Sequence, residues 1–514
     1  MERVEDLLAR DFGTLPDLIR RHAANQPDKL AIADGDAQIT YAELDRAMDR
    51  AAAALQRDGT AQGQAVAIVS YPSVAQSIVF LAAVRAGSIA APIQPSATPE
   101  QIAGMVEDSG ANLVFLDRAN ADALAGQTMS ARIVMLEELD QWLAPEESTP
   151  TPVEIAPLDG FNIIYSSGTT GIPKGIVQSH TMRWQHLSRN STAGFDTAVT
   201  LLATPLYSNT TLVSFLPTLA WGGTVVLMKK FDARRYLELA QQYRATHTML
   251  VPVQYQRIMA LPDFDSFDLS AFRFKTCTSA PFKAELKRDI LNRWPGKLVE
   301  YYGMTEGGAS FILVADENPD KLHTVGKLSP GHEALLLDED GNEVAPGEMG
   351  EIVGRSPAMM NGYHKREGAT RDAEYHDAEG RRWIRHGDVG RIDEDGFLIL
   401  MDRKKDMIIS GGFNIYPSDL EAVLAQHPAV ADCTVVGVPS EEWGETPVGF
   451  YVPRPGAAAS AEEVRAAVNE KLGKTQRLSK LYVTDELPRS AIGKVLKREL
   501  RDRLAQGEFE GVNA

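Results

Sequence analysis

A glycine-rich turn that follows an apolar strand constrains this chain more than any other stretch. Residues 164–175 read IYSSGTTGIPKG, and the residues just before the turn are mostly apolar. Its glycines allow the backbone to turn sharply and to approach a ligand closely. Consecutive N–H groups in such a turn form a binding site for anions, to which hydroxyls and one lysine are added here. The predicted phosphate ligands are Ser166, Ser167, Gly168, Thr169, Thr170, Gly171 and Lys174.

The turn differs from the Walker phosphate loop. A Walker loop ends in Gly-Lys-Ser/Thr, whereas Lys174 lies between Pro173 and Gly175. The alternative is a Ser/Gly-rich surface turn, but loop composition alone rarely leads from an apolar strand into Pro-Lys-Gly. The stretch therefore predicts a polyphosphate site of another type.

Strand-like and helix-like segments alternate on both sides of this turn. Before it, strand patterns at 64–69, 88–93 and 112–116 alternate with helix patterns, the first of which begins at the capping box Thr40-x-x-Glu43. Such alternation predicts an α/β fold with mostly parallel sheets covered on both faces. From about 331 to 396, short strands with many turn residues predict a β subdomain.

The C-terminal part has a different pattern. Two capping boxes, Ser418-x-x-Glu421 and Ser460-x-x-Glu463, precede helix-like segments that alternate with strands. The pattern predicts a small α+β domain. We therefore predict a large N-terminal domain over residues 1–403 and a small mobile lid over residues 404–514.

Composition excludes several classes of function. The chain has 514 residues and a formal net charge of −18, which argues against binding to nucleic acid or to an anionic membrane surface. Cys277 and Cys433 lie far apart and show neither metal-site spacing nor a disulfide framework. The first residues lack the apolar core of a signal peptide, and the apolar run 78–93 is broken by Arg85. A cytoplasmic protein without a membrane span is expected, and a homodimer is compatible with the sequence.

Further motifs follow the glycine-rich turn in a fixed order. They are SAP at 279–281, YYGMTEGGA at 301–309, HGD at 386–388, DRKKD at 402–406, SGGFNIYP at 410–417 and PRSAIGK at 488–494. Each alone could be a solvated turn or an exposed charge cluster. Together they resemble the adenylate-forming superfamily, which contains acyl-CoA synthetases, aryl-CoA ligases, luciferases and peptide-synthetase adenylation domains.

The resemblance implies ATP, Mg²⁺ and CoA as ligands and assigns a role to each motif. It implies that the glycine-rich turn holds the β- and γ-phosphates, that Thr305 contacts the α-phosphate and that Glu306 holds Mg²⁺. One glutamate is sufficient for an ion that keeps phosphate and water ligands. The implied nucleoside ligands are Ser279, Ala280, Pro281 and Tyr302 for adenine, Asp388 for both ribose hydroxyls, and Arg403 for ribose or phosphate.

The same resemblance implies a rotating lid. Lys494 would bridge the substrate carboxylate and the α-phosphate during adenylation, whereas Gly411 and Gly412 would line the pantetheine tunnel during transfer to CoA. The two groups cannot face one small site together, so Lys405 is expected to act as the hinge.

One departure from the family pattern bears on the substrate. Relatives that activate aromatic acids often carry an aromatic residue followed by His where this chain has Tyr207 and Ser208. The smaller, neutral Ser208 predicts a roomier pocket, and these segments carry no Lys or Arg for a second carboxylate. The predicted pocket residues are Ser208, Thr210, Ser214, Gly307, Gly308 and Ala309.

These observations predict an AMP-forming acid–CoA ligase for a hydrophobic, aryl-substituted monocarboxylic acid. The substrate alternative is a medium- or long-chain fatty acid, and the acceptor alternative is a carrier protein. A luciferase-like oxygenase and a non-enzymatic nucleotide-binding protein complete the alternatives. Release of AMP and pyrophosphate with and without CoA distinguishes all of them.

Overall fold

Two large sheets are formed by the alternating segments that the sequence predicts. The computed structural model describes residues 3–35, 37–166, 173–188, 193–403, 406–410, 413–441, 443–457, 459–473, 476–490 and 493–509. The chain divides by its contacts into two compact units. The first comprises Met1–Glu333 and Gly354–Ile384, and the second comprises Ala334–Val353 and Arg385–Ala514.

The larger sheet of the first unit has nine strands. Its six central strands pair in parallel, and antiparallel strands flank them at both ends. In spatial order the strands are Lys327–Leu328, Phe311–Val314, Lys297–Tyr302, Phe274–Cys277, His247–Leu250, Val199–Leu202, Thr224–Leu227, Leu30–Ala33 and Gln38–Thr40.

The other sheet of the first unit has seven strands and contains the glycine-rich turn. Its parallel strands continue into an antiparallel pair that the turn connects. In spatial order the strands are Gly362–Tyr363, Lys174–Ser179, Gly160–Ser166, Ile89–Ile93, Ala65–Val69, Leu113–Leu116 and Arg132–Met135.

Helices cover both faces of these sheets. One hydrophobic cluster joins side chains of both sheets to the helices Tyr41–Arg57, Val74–Arg85 and Asn209–Ala220. Separate clusters cover the opposite face of each sheet, which confirms the predicted α/β architecture. The remaining helices of this unit are Val4–Leu8, Leu15–Asn25, Pro99–Ser109, Arg118–Ala123, Leu139–Trp142, His180–Ser188, Ala233–Tyr243, Pro252–Met259, Ala284–Arg293 and Glu367–Asp372. Short 3₁₀ helices lie at Leu136–Glu138, Phe195–Thr197, Phe264–Ser266, Ala315–Glu317 and Pro319–Lys321.

Short antiparallel strands occupy the region where the sequence predicts a β subdomain. They are Glu333–Leu337, Gly350–Arg355, Glu374–His376, Arg382–Ile392 and Leu398–Arg403. In the first unit Tyr375 pairs with Trp383. In the second unit Asp388 pairs with Arg403.

The second unit also contains a small α+β layer, as the sequence predicts. Its strands are Phe413–Ile415, Ile408–Ser410, Gly444–Pro453, Val430–Ser440 and Lys480–Val483. Its helices are Pro417–Ala425, Ala461–Asn469 and Lys497–Ala505. The predicted boundary after Arg403 is the point about which the lid would rotate. The two compact units are instead defined by the contacts within a single conformation. That boundary therefore stays a prediction.

The predicted helix starts are correct in two cases and wrong in the third. Thr40 and Ser460 both form complete capping boxes. Ser418 does not cap, because its helix already begins at Pro417, a residue whose missing N–H suits the first helical position. Glu421 instead accepts hydrogen bonds from the Thr434 hydroxyl and the Val435 N–H, and it pairs with Lys497.

A buried histidine in the nine-stranded sheet predicts sensitivity to acid. His247 is 3 % exposed and lies between the rings of Phe195 and Phe274. Burial lowers the pKa of His247 to about 4, so the folded state keeps the imidazole neutral. Because this value is below the unfolded pKa near 6.5, the stabilisation is present above pH 6.5 and is lost as the pH falls towards 4. We expect the stability difference between wild type and His247→Gln to shrink by roughly 3 kcal/mol over this interval.

Urea unfolding of both proteins at several pH values measures this difference. His376→Gln is the control, since His376 is exposed on a surface strand. A stability difference that stays constant from pH 7 to pH 4 would contradict the linkage.

Candidate active site

The glycine-rich turn connects two antiparallel strands of the seven-stranded sheet. Ser166 and Lys174 are register partners at the ends of these two strands. Ser167, Gly168, Thr169, Thr170 and Gly171 lie outside the described residues. Pro173 leads into a strand rather than a helix, which agrees with the distinction from a Walker loop.

Lys174 and Glu306 approach each other through a tyrosine that the sequence reasoning missed. Tyr363 lies on a short strand that pairs with Lys174–Ser179. Its hydroxyl donates a 2.8 Å hydrogen bond to Glu306 Oε1, and Lys174 Nζ lies 5.1 Å from the centroid of its ring. Burial and the Glu306 carboxylate raise the pKa of Tyr363, which keeps the phenol protonated as a donor. The side chains of Lys174, Glu306 and Tyr363 therefore form one cluster.

Thr305 and Glu306 lie in a turn that is held at several points. Gly307 N–H donates to Met304 O at 3.1 Å, and Met360 N–H donates to Glu306 O at 2.8 Å. This turn follows directly after the strand Lys297–Tyr302 of the nine-stranded sheet. Tyr302, the last residue of that strand, is therefore close in sequence to Thr305 and Glu306. Backbone and side-chain contacts therefore both fix the position of the predicted Mg²⁺ ligand.

The backbone conformation and close packing, and not only the volume of a pocket, explain why small residues follow Glu306. Gly307 has φ +86°, and a Cβ there would lie 2.0 Å from the Ala358 carbonyl oxygen. Gly308 has φ +88°, and Ala309 is buried against Gly354. Because the left-handed backbone conformation favours glycine, the glycines themselves do not measure the space left for a substrate.

The predicted pocket residues and the predicted adenine segment meet in the first unit. Thr210 Oγ1 lies 2.5 Å from Ser279 Oγ, and Ser279 has a positive φ of 83°. Such a strained conformation in a non-glycine residue is concentrated at functional sites. Ser279 is followed by a half-buried Ala280 and an exposed Pro281.

Ser208, a predicted pocket residue, has a structural function in the helix that follows it. It is the N-cap of the helix Asn209–Ala220, and its hydroxyl oxygen accepts a hydrogen bond from Thr210 N–H at 3.3 Å. Ser214 lies on the following turn of this helix and is buried. The local sequence therefore places three hydroxyls along one helix start.

A buried network of two side-chain amides and one arginine lies next to Thr305. The sequence analysis did not predict this network either. Gln178 Nε2 donates to Thr305 O at 2.7 Å and reaches Asn209 Oδ1 at 3.5 Å. Gln178 Oε1 accepts from Asn162 Nδ2 at 3.0 Å and from Arg183 Nη2. Arg183 is 1 % exposed, and burial lowers the pKa of its guanidinium to about 9.

The second unit contains the other predicted site residues. Asp388 is buried, and its backbone is in register with that of Arg403. Lys405, Gly411 and Gly412 lie outside the described residues. Lys494 is half-buried and follows Gly493, which has φ +76°.

Hydrogen bonds to Ser490 and Arg489 hold the backbone at Lys494. Ser490 N–H donates to Lys494 O at 2.8 Å, and Lys494 N–H donates to Ser490 Oγ at 3.2 Å. Arg489 donates to Gly493 O at 2.7 Å and to Asp432 Oδ2 at 2.6 Å. The guanidinium thus fastens the base of the turn to the sheet of the second unit.

The Glu306 carboxylate suits a Mg²⁺ ion that phosphates help to hold. Its Oε1 accepts the Tyr363 hydrogen bond, and a carboxylate has further lone pairs available. In the described ranges no group of three or more His, Cys, Asp or Glu residues could hold a metal ion alone.

Fold and site together define a two-unit adenylate-forming enzyme, and comparison with known proteins identifies its family. The model of AMP-binding enzymes matches residues 19–364, and the model of the AMP-binding enzyme C-terminal domain matches residues 419–494. The chain belongs to the AMP-binding enzyme family. This confirms the predicted class, an ATP-dependent, AMP-forming acyl-CoA synthetase whose substrates are an acid, ATP and CoA.

Three similar proteins illustrate the relationship. Feruloyl-CoA synthase from Amycolatopsis sp is 35 % identical over 493 residues, which cover 94 % of this chain and 97 % of that protein. Indoleacetate–CoA ligase from Aromatoleum aromaticum is 32 % identical and covers 96 % of this chain and 99 % of its own length. The structure of ATP-bound MatB from Rhodopseudomonas palustris has a TM-score of 0.85 at 29 % identity, covering 95 % of this chain and 98 % of its own.

The structure also bears on membrane spans. Among the described helices, none is both long enough and apolar enough to cross a bilayer.

Proposed function

We propose that this ligase activates an aryl-substituted monocarboxylic acid. The observation that carries the proposal is that two relatives matching nearly the whole chain are named for feruloyl and indoleacetate substrates, which both bear aromatic rings. A ring of this kind needs a pocket with apolar walls and few charges.

The helix Asn209–Ala220 supports a substrate with one carboxylate. Its first turns contribute neutral hydroxyls, with Thr210 and Ser214 each 5 % exposed. The six predicted pocket residues are Ser, Thr, Gly or Ala. A second carboxylate would find no cation among them and would lose its hydration without a partner, which is costly.

The first half-reaction forms an acyl-adenylate. A carboxylate oxygen of the acid attacks the α-phosphorus of ATP, and the bond to the departing pyrophosphate breaks. We assign Lys174 to the β- and γ-phosphates and Thr305 to the α-phosphate, while Glu306 would hold Mg²⁺, which offsets phosphate charge when bound. Tyr363 orients the Glu306 carboxylate by its 2.8 Å hydrogen bond.

The second half-reaction transfers the acyl group. The CoA sulfur attacks the acyl carbon, the bond to the AMP oxygen breaks, and the thiol proton is released. Positioning and charge stabilisation carry both steps, since the protein forms no covalent bond to the substrate. A cytoplasmic location and a homodimer remain predictions from the sequence.

A panel of acids tests the substrate assignment. Purified enzyme is assayed for acid-dependent exchange of pyrophosphate into ATP, and then for AMP and acyl-CoA after addition of CoA. We expect substituted cinnamic and arylacetic acids to give the highest kcat/KM, followed by medium-chain fatty acids. Highest activity with acetate or a dicarboxylate would contradict the pocket assignment. Adenylation that is never followed by thioester formation with free CoA would favour a carrier protein as acceptor.

A further inference from the structure

We propose that Gln178 is a positioning residue for adenylation, and that Arg183 determines the direction in which its side-chain amide acts. The proposal rests on the proposed roles of Thr305 and Glu306. It concerns the hydrogen-bonded group of Asn162, Gln178 and Arg183, which is called the buried amide network below.

The buried amide network links three elements of the first unit. Asn162 lies on the strand that enters the glycine-rich turn, Gln178 on the strand that leaves it, and Arg183 on the helix that follows. All three side chains are at most 1 % exposed. Through Gln178 Nε2 the network reaches the carbonyl of Thr305, which lies 127 residues further along the chain.

The chemistry of arginine determines which atoms of this network donate hydrogen bonds and which accept them. A guanidinium can donate hydrogen bonds but cannot accept them. Arg183 Nη2 therefore requires the oxygen of Gln178, and Arg183 Nε requires the oxygen of Asn162, at 2.8 Å. The amide nitrogen of Gln178 must then face the opposite way, towards Thr305 O. Without the guanidinium, a flipped Gln178 would direct its oxygen at that carbonyl.

The energetic cost of this arrangement indicates a role other than stability. Arg183 bonds to neutral amide oxygens, and its Nη1 has no hydrogen-bond partner among the residues that the structure describes. Burying a cation without a carboxylate is unfavourable, and so is an unsatisfied donor. Departures of this kind are expected where function requires them.

The consequence of the network is a fixed carbonyl at the predicted α-phosphate ligand. The Gln178 bond holds Thr305 O, while Met360 N–H holds Glu306 O and Tyr363 holds the Glu306 carboxylate. Hydrogen bonds thus constrain both peptide groups that flank Glu306. A displacement of about 1 Å at such a site can lower a rate by about 100-fold.

The decisive variant is Gln178→Glu, because it tests the positioning of Thr305 separately from the folding stability of the enzyme. A glutamate at 178 can accept from both Asn162 and Arg183, so it forms a buried ion pair that permits folding. It cannot donate to Thr305 O, and it places a charged oxygen opposite that carbonyl. We expect the variant to keep a Tm at or above that of Gln178→Met, yet to form acyl-adenylate about 10- to 100-fold more slowly than wild type.

The measurement is a single turnover of adenylation without CoA, using the best acid from the substrate panel. The amplitude of pyrophosphate release counts folded active sites, and the rate constant reports the chemistry in those sites. We expect the rate constant to fall while KM for ATP stays within about threefold, because the proposed adenine and β- and γ-phosphate contacts are unchanged. A wild-type enzyme inactive with every acid would instead refute the proposed function.

Two comparisons identify the mechanism. Arg183→Met should slow adenylation by about 10-fold, whereas Arg183→Lys, which also can only donate, should stay within about threefold of wild type. Gln254→Met is the matched control, since Gln254 is a buried amide that donates to Ala203 O at 2.9 Å. It should lower Tm but leave the rate constant unchanged.

Three results would overturn the proposal. The first is a Gln178→Glu rate constant within twofold of wild type. The second is an Arg183→Lys enzyme as slow as Arg183→Met. The third is a Gln254→Met enzyme slowed as much as Gln178→Glu, which would show that a change at any buried amide has the same effect.

Discussion

Lys494→Ala should lower the rate of adenylation by about 10²- to 10³-fold and should leave transfer from supplied acyl-adenylate to CoA within a few-fold of wild type. The physical reason is that negative oxygens of the carboxylate and the α-phosphate approach each other only in the first half-reaction. Loss of one preorganised donor at such a centre costs about 3–4 kcal/mol in the transition state. Thioester formation places less charge at one point and is expected to use another lid position.

The backbone at Lys494 is held by several hydrogen bonds. Its turn is closed by hydrogen bonds to Ser490, and Arg489 fastens the turn to Asp432. These contacts hold the backbone on both sides of Lys494 within the second unit.

The two half-reactions are measured separately. Pyrophosphate release reports adenylation, and acyl-CoA formation from chemically prepared acyl-adenylate reports transfer. Lys480→Ala is the control, since it removes a lysine from an exposed strand position in the same unit. Equal losses in both half-reactions of Lys494→Ala would contradict the assignment.

The sequence predicted those parts of the enzyme that depend on short segments. The alternating strands and helices and the capping boxes at Thr40 and Ser460 each involve residues within a few positions of one another. Short-range patterns of this kind follow from backbone chemistry alone. The same reasoning was wrong at Ser418, because a tertiary contact uses Glu421 and a proline begins the helix.

The site residues that the sequence analysis did not predict bond to partners far along the chain. Tyr363 bonds to a carboxylate 57 residues away, and Gln178 bonds to a carbonyl 127 residues away. Nothing in the sequence near either residue specifies such a partner. A buried-strand pattern that contains Asn and Gln at 162 and 178 was the available signal, since buried amides require hydrogen-bond partners.

The position of the hinge can be argued from the elements that surround it. The compact units divide within the strand Arg382–Ile392, between residues 384 and 385. A pivot there would interrupt a continuous hydrogen-bonded strand. Residues 404 and 405 instead follow a strand that ends at Arg403 and precede one that begins at Ile408. Asp406 is already bound to Arg501 within the second unit, at 3.2 Å. A pivot at Lys405 would therefore interrupt neither of these two strands.

Lys405→Pro should preserve pyrophosphate release while lowering thioester formation by about 100-fold or more. Proline fixes φ near −65° and restricts the preceding residue as well, so a backbone that must adopt two conformations at this position is held in one. The family resemblance suggests that the adenylating conformation is the one that proline tolerates. Lys405→Ala removes the same charge but keeps the torsional freedom, and it should change either half-reaction by less than about fivefold. The pair of variants thus separates a torsional requirement from an electrostatic one, and its pattern is the reverse of that for Lys494→Ala. If Lys405→Pro forms acyl-CoA at the wild-type rate, the chain does not pivot at this residue, and the division at 384/385 becomes the position to test next.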